Sequence, residues 1–496
     1  MHRFFALFAG TLVLALSPVI AQDAPKTSAP EVSLIRINST LQSYNFLRPW
    51  EKGAPTPRRG LGALLPGGQV VTTSEMLVNS TYIELEHPTS GAKTPAKVLA
   101  LDYESNLALL GPEDPDSGLF DDMVPFDMTG GVSAGDTLEV WQVEDNGDGV
   151  STDVEVLRTA VNGYFVEGSA FLSYEVRGSL QYRANSFTLP VIKDGKFVGM
   201  LLSYNSKEQT SVILGSDIVK AFLADVADGD YSGFPSLGMA YAQTLDQQLR
   251  KFLEIEDKEG GVYVRKVAPD SSAGNSGLEV GDVVLSVKGQ AVDSRGNYED
   301  PKHGKINMSH LVRGASKVGD LVPMKIVRDG EEMEVEVKLV RKEAEDYLID
   351  PYMFDRGPKY LIMGGLIFQE LTLPYLQSWG DKWEERAPFK LIHAQSIPDQ
   401  YEEEGREKLV FLSQTLRTPS TVGYEDFNSI IVTKVNDQQI KNIQDLFDAF
   451  LKPNDDGLHK IEFTDFPKVI YIDDEAARAV NEQLLGFGIN QMARLD

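Results

Sequence analysis

The stretch "VVTTSEMLV" (70–78) ends a short apolar strand on small polar residues and sets a carboxylate, Glu75, just before apolar residues resume. The preceding "GLGALLPGGQV" reads as strand, Pro-Gly-Gly turn and strand, a hairpin that delivers Glu75 to the end of a β-barrel. Facing solvent, with a pKa near 4.3, such a carboxylate is a weak base at neutral pH; burial is what would raise it. A second acidic stretch, "EDNGDGVSTDVE" (144–155), approaches an EF-hand loop, with Asn146, Asp148, Gly149 and Glu155 at the third, fifth, sixth and twelfth places. It begins on Glu144 and lies between strands, so it reads as an acidic hairpin turn. The six His are scattered and Cys is absent. No metal site, thiol nucleophile or cofactor is therefore expected.

The elements that must position Glu75 divide the chain. Residues 1–21 have a basic start, an apolar run from Phe4 to Leu16 and small residues up to Ala21, the pattern of a secretory signal peptide. Residues 22–31 form a Pro/Ala/Ser tether. No later apolar run reaches the roughly eighteen residues of a membrane span, so no membrane insertion is expected. From 32 to 228, short alternating strands are split by Gly, Asn and Asp turns, the spacing of an all-β barrel or sandwich. This region closes with the helical "SDIVKAFLADVADGD", capped by Ser216 or Asp217. Residues 229–345 change to an α/β pattern. Residues 346–496 echo it: "VVLSVKGQAVDSRGN" and "SIIVTKVNDQQIKNI" share a strand–turn–strand pattern, and the second module carries an insertion near 371–400. A net charge of −27 argues against nucleic acid and anionic membrane surfaces as partners. An exported chain without Cys must stand on its apolar cores, in a periplasm or another extracellular space.

The residues resemble a known family. "APDSSAGNSGLEVGDVVLSVKGQAV" is similar to the PDZ run of Deg/HtrA-type serine proteases, with its Pro-x-Ser-x-Ala, Gly-Leu and Gly-Asp-x-Ile-Leu-x-Val-Asn-Gly. "PKYLIMGGLIFQELTLPYL" and "VTKVNDQQIKN" resemble the second PDZ-like domain of plant-type Deg proteases. "VVTTSEMLV" lies on the family's Val-Thr-Asn-Asn-His-Val-Val, "DYESNLALL" on Asp-x-x-x-Asp-Leu-Ala-Leu-Leu, and "ANSFTLPVIKDGKFVGM" on Gly-Asn-Ser-Gly-Gly-Pro-Leu. The resemblance implies a mainly β fold, a trypsin-like double β-barrel followed by two PDZ-like α/β domains. Carried over by position, the base becomes Glu75, its orienter Asn106 and the nucleophile Ser186. The triad's His and Asp are thus replaced, leaving a vestigial site in a pseudoprotease. The turn Ala184-Asn185-Ser186-Phe187-Thr188 also puts side chains where an oxyanion hole needs bare backbone. His87, twelve residues past Glu75, falls in the next hairpin and is no substitute base.

In PDZ domains a Φ-G-Φ loop offers backbone N–H groups to a peptide's C-terminal carboxylate, and the peptide adds as a strand. Here the resemblance assigns Leu237, Gly238 and Met239 to that loop, with Leu311 and Val312 on the facing helix. "MGGLIF" (363–368) is the corresponding stretch of the second module, with the insertion available to cover it. The expected function is an exported, proteolytically inactive protein that binds polypeptide C-termini or unfolded segments. It would act as scaffold, adaptor or holdase in protein quality control; the alternative is an active serine endopeptidase with an unorthodox base at the Ser186 site. The resemblance further implies a homo-oligomer, a trimer or its multiple. Phe46 and Trp50 in the leading arm (33–50) offer apolar area for a neighbouring subunit.

Overall fold

The computed structural model describes residues 33–181 and 187–496. The leader, the tether and Ser186 lie outside the described residues.

Six strands form a first closed barrel: β1 (Leu34–Leu41), β2 (Thr56–Leu65), β3 (Gln69–Thr72), β4 (Ser80–Glu86), β5 (Lys93–Asp102) and β6 (Leu107–Pro112), in the order β1-β2-β3-β6-β5-β4. The alternation in "LIRINSTL" turns Ile35, Ile37 and Leu41 to one buried face, with Leu34 buried on the other, and β1 closes the barrel by pairing with both β2 and β4. The second barrel runs β10-β11-β12-β9-β8-β7, from β7 (Thr137–Val143), β8 (Gly149–Gly163), β9 (Ala170–Arg177), β10 (Pro190–Lys193), β11 (Lys196–Asn205) and β12 (Thr210–Leu214). Closure leaves neither barrel with a free edge. The acidic stretch 144–155 is the β7–β8 hairpin, with Glu144 N–H donating to the Asp148 carbonyl at 2.8 Å.

Helix α1 (Ser216–Ala227) follows the barrels, and its cap differs from expectation. Gly215 occupies the N-cap without a side-chain bond. Ser216 Oγ instead meets Tyr174 OH at 3.0 Å. Asp217 pairs outward with Lys302 Nζ at 2.6 Å and His303 Nε2 at 2.9 Å, fastening α1 to the next module. The imidazole of His303 beside it holds this carboxyl well below the usual range, against the effect of burial.

That module has the sheet order β13-β14-β15-β19-β20. Its strands are β13 (Met239–Gln243), β14 (Val262–Val267), β15 (Val283–Val287), β19 (Leu321–Arg328) and β20 (Glu331–Lys338); β16 (Gln290–Ala291) pairs with β15, and β17 (Asn297–Asp300) with β18 (Gly304–Asn307). Buried apolar side chains run without a break from Phe126 and Phe197 through Phe222 and Phe234 to Val262, Ile326 and Leu339. The second barrel and this module therefore share one core.

The last module is an eight-stranded sheet that includes β21 (Tyr360–Met363), β22 (Leu366–Glu370) and the edge strand β28 (Ala493–Arg494). The insertion forms short helices over 373–403 that pack around Leu371, Tyr375, Leu391 and Phe411. Phe46 packs into this cluster. Trp50 packs beside Tyr360, edge to face at 6.4 Å. The aromatic residues expected to reach a neighbouring subunit are thus taken up by the chain's own last module.

Candidate functional site: an interbarrel cleft and a peptide groove

Glu75 rides on a 3-10 turn, Ser74–Leu77, that leaves β3 after Thr72. Its carboxylate does not face solvent as the sequence suggested: the residue is half-buried, and Oε2 accepts from Tyr164 OH at 3.1 Å. Tyr164 stands past the end of β8, in the second barrel, so this bond spans the cleft between the barrels. Arg58, from β2, donates to the Glu75 carbonyl at 2.5 Å. Its guanidinium lies over the Phe187 ring at 4.1 Å from the centroid. Burial pushes the Glu75 carboxyl above its ordinary value, opposed by the Tyr164 hydroxyl, the Arg58 charge and the nearby Asn106 side chain. Burial likewise lowers Arg58, opposed by Glu75.

Asn106 is buried at a positive φ of 55° in the β5–β6 turn, a conformation Asn tolerates. Its Oδ1 accepts from the Glu75 N–H at 2.9 Å and from Ser74 Oγ at 3.1 Å. Its Nδ2 has no hydrogen-bond partner among the described residues. Asn106 thus holds the backbone of the 74–75 turn. Phe187 and Thr188 dock the segment after Ser186 onto β2: Phe187 N–H donates to the Arg59 carbonyl at 3.1 Å, and Thr188 Oγ1 to the Leu61 carbonyl at 2.6 Å. His87 accepts the Thr89 and Ser90 N–H groups at its own Nδ1 and is committed to its hairpin. Sequence reading found Glu75 and Asn106 but missed Arg58 and Tyr164. Tyr164 is 89 residues from Glu75, and only barrel closure brings them together.

The second region is a groove between β13 and the turn Met308–Leu311. Gly238 opens it with φ +68°, and a Cβ there would sit 2.2 Å from Ser271 Cβ. Glycine is required on both counts. The Leu237 and Gly238 carbonyls turn inward, accepting from Ala273 and Ala268 N–H at 2.8 Å each. Leu237, Gly238, Met239, Met308 and Val312 line a cavity of about 450 Å³, a size that suits a small ligand or a peptide end. Leu311, Met308 and Val312 are all nearly fully buried, and of the three it is Met308 and Val312 that line the cavity. Walls also come from outside the module, from Val166–Ser169 of the second barrel and from Tyr347 and Tyr352.

In the last module "MGGLIF" is a tight hairpin turn between β21 and β22, with Gly364 at φ 64° and Gly365 at φ 100°. Asn481, from helix Asp474–Leu485, accepts the Gly364 N–H at 2.9 Å and donates to the Ile362 carbonyl at 3.0 Å. β28 pairs with the outer edge of β21, Tyr360 opposite Arg494. The cover comes from the C-terminal helix and strand, where the sequence pointed to the insertion.

Two closed barrels meeting at such a cleft, followed by these sheet modules, define the trypsin-like double-barrel class with appended PDZ domains. PDZ domain models match residues 252–339 and 349–491. The chain is 27% identical over 421 residues to "Protease Do-like 2, chloroplastic" of Arabidopsis thaliana, covering 84% of this chain and 67% of that protein. It is 25% identical over 417 residues to "Protease Do-like 4, mitochondrial" of the same plant, covering 84% and 76%. The chain thus carries two PDZ domains and is similar over most of its length to Do-like proteases of the Deg/HtrA type. Among solved structures, "HtrA-type protease AlgW with decapeptide" aligns with a TM-score of 0.47 at 15% identity, covering 63% of this chain and 96% of that one. No helix among the described residues is long and apolar enough to cross a membrane.

Proposed function

We propose that this Deg/HtrA-like chain is an exported, non-proteolytic protein that binds polypeptide C-termini or unfolded segments, as a scaffold, adaptor or holdase in protein quality control. One observation carries the reading. At the position of the base, Glu75 has its carboxylate engaged by Tyr164 and its backbone held by Arg58 and Asn106. Acyl transfer by a serine needs a base free to take the hydroxyl proton and a third group that orients it. Asn106 spends its oxygen on backbone and on Ser74 instead. The groove at Leu237, Gly238 and Met239 supplies the binding function, and residues 1–21, read as a leader, support export.

A specific fact favours the second reading, a serine endopeptidase at Ser186 with Glu75 as its base. Burial raises the Glu75 carboxyl, and a raised carboxyl is a better base. Casein hydrolysis by the purified chain beside a Ser186→Ala variant separates the two. The first reading expects no serine-dependent cleavage; cleavage lost in the variant overturns it. The family resemblance also supports a trimer or its multiple, built from surfaces other than Phe46 and Trp50. Light scattering tests this, and a monomer at micromolar concentration rejects it.

A further inference from the structure

The peptide groove holds one cation whose place in peptide binding is unassigned. Arg313 follows the Met308–Leu311 turn and lines the same cavity as Leu237, Gly238 and Met239. Its side chain is only 11% exposed, and its guanidinium lies 4.8 Å from the centroid of the Phe171 ring. Nη2 donates to Glu104 Oε2, while Nε has no hydrogen-bond partner among the described residues. Glu104 belongs to another domain, the β5–β6 turn of the first barrel, and it too lines the groove. The other cation at the groove, Lys266, is drawn away to Asp399 at 2.9 Å. The nearby carboxylate Asp102 is engaged by Tyr231 OH at 2.6 Å and Arg341 at 3.4 Å.

A buried guanidinium stays charged and needs a partner, because an unpaired charge in a site shielded from water is costly. Arg313 has a single hydrogen-bonded carboxylate and a donor to spare, in a groove whose walls are otherwise mainly apolar. An arginine presents a planar fork of donors that matches a carboxylate. We propose that Arg313 is the charged half of this groove's carboxylate receptor and that Glu104 is its place-holder, displaced when a peptide's C-terminal carboxylate arrives. The loop Leu237-Gly238-Met239 then supplies backbone donors and Arg313 the countercharge. The groove thereby selects a free chain end over an internal segment or a blocked terminus. This rests on the peptide-binding reading above and specifies which peptides qualify.

The experiment is fluorescence anisotropy on the full chain with labelled decapeptides ending in Leu, each as free acid and as C-terminal amide. The wild-type chain is expected to prefer the acid by about tenfold or more, the scale of a charge-assisted hydrogen-bonded pair. Glu104→Gln removes the competitor and should tighten the acid several-fold while leaving the amide unchanged. Arg313→Met should collapse the preference, and Arg313→Lys should restore part of it. If Glu104→Gln leaves the acid-to-amide ratio at its wild-type value, the place-holder role is overturned, whether or not Arg313→Met folds. If acid and amide bind the wild-type chain equally, the receptor role fails while peptide binding stands. Failure of either peptide to bind the wild-type chain overturns the peptide reading and this inference with it.

Discussion

The interbarrel cleft and the first PDZ groove are built from similar groups, and they differ in what those groups still have to offer. In the cleft, Glu75, Tyr164, Arg58, Asn106, Phe187 and Thr188 bind one another or the β2 backbone. In the groove, Gly238 keeps side chains away from the loop, and about 450 Å³ stays open between apolar walls. On the proposed reading the cleft serves as a joint between domains: its side chains mostly bind one another, although Asn106 Nδ2 lacks a partner among the described residues. The groove, whose space remains, serves as a receptor. The last module marks the intermediate case: a sheet edge of the same kind, filled by the chain's own Ala493 and Arg494.

The largest effect is expected where the groove depends on one glycine. Gly238→Val forces a β-branched residue to φ +68° and drives its Cβ into Ser271. Strain of roughly 1–3 kcal/mol, focused on the carboxylate loop, should weaken decapeptide binding by up to about 100-fold. The barrels should unfold at nearly the wild-type temperature. Unchanged affinity in anisotropy would show that the ligand does not use this loop, and the contrast between cleft and groove would lose its basis.

Next comes an attempt to turn the joint back into a catalyst. Glu75→His with Asn106→Asp restores a base and its orienter. Phe187 and Thr188 still dock the following segment on β2, and losing one oxyanion donor typically costs about 10²–10³ in rate. Casein hydrolysis by the double variant should therefore stay close to background. Substantial Ser186-dependent activity would mean that the turn had remained competent and that the two substitutions alone silenced the site.

Much of this contrast was legible in sequence, because it rests on local signals. Period-2 runs and turn residues pointed to a barrel or sandwich. The family resemblance supplied the double barrel, the loop Leu237-Gly238-Met239 and the positions of Glu75 and Asn106. What stayed hidden depends on closure in space. Tyr164 reaches Glu75 only because the two barrels abut, and Glu104 meets Arg313 only because the first barrel touches the PDZ module. Leu311 and Met308 lie three residues apart on a short 3-10 turn and both are buried, and hydropathy alone does not say that it is Met308 that also lines the cavity. The fate of Phe46 and Trp50 was equally invisible, since their partners lie more than three hundred residues away, in the last module.

The smallest effect concerns Glu75 itself and sharpens the question of what the cleft can do. Its carboxyl is raised above its ordinary value by burial, so the folded chain holds that proton more tightly than the unfolded chain. The stability contributed by the protonated form is fully present below the ordinary carboxylate range and is lost as pH rises through the folded value. Glu75→Gln, neutral throughout and still able to accept from Tyr164, escapes that loss. It should match the wild-type chain near pH 4 and exceed it at pH 7.5. The margin is about 1 kcal/mol or less, since water reaches a half-buried carboxylate and screens it. Urea unfolding at the two pH values reads the difference. The opposite sign, with Glu75→Gln weaker at pH 7.5, would mean that Arg58 and Tyr164 outweigh burial and favour the anion. In that case Glu75 would be a still poorer base, and the endopeptidase reading would lose the observation that favours it.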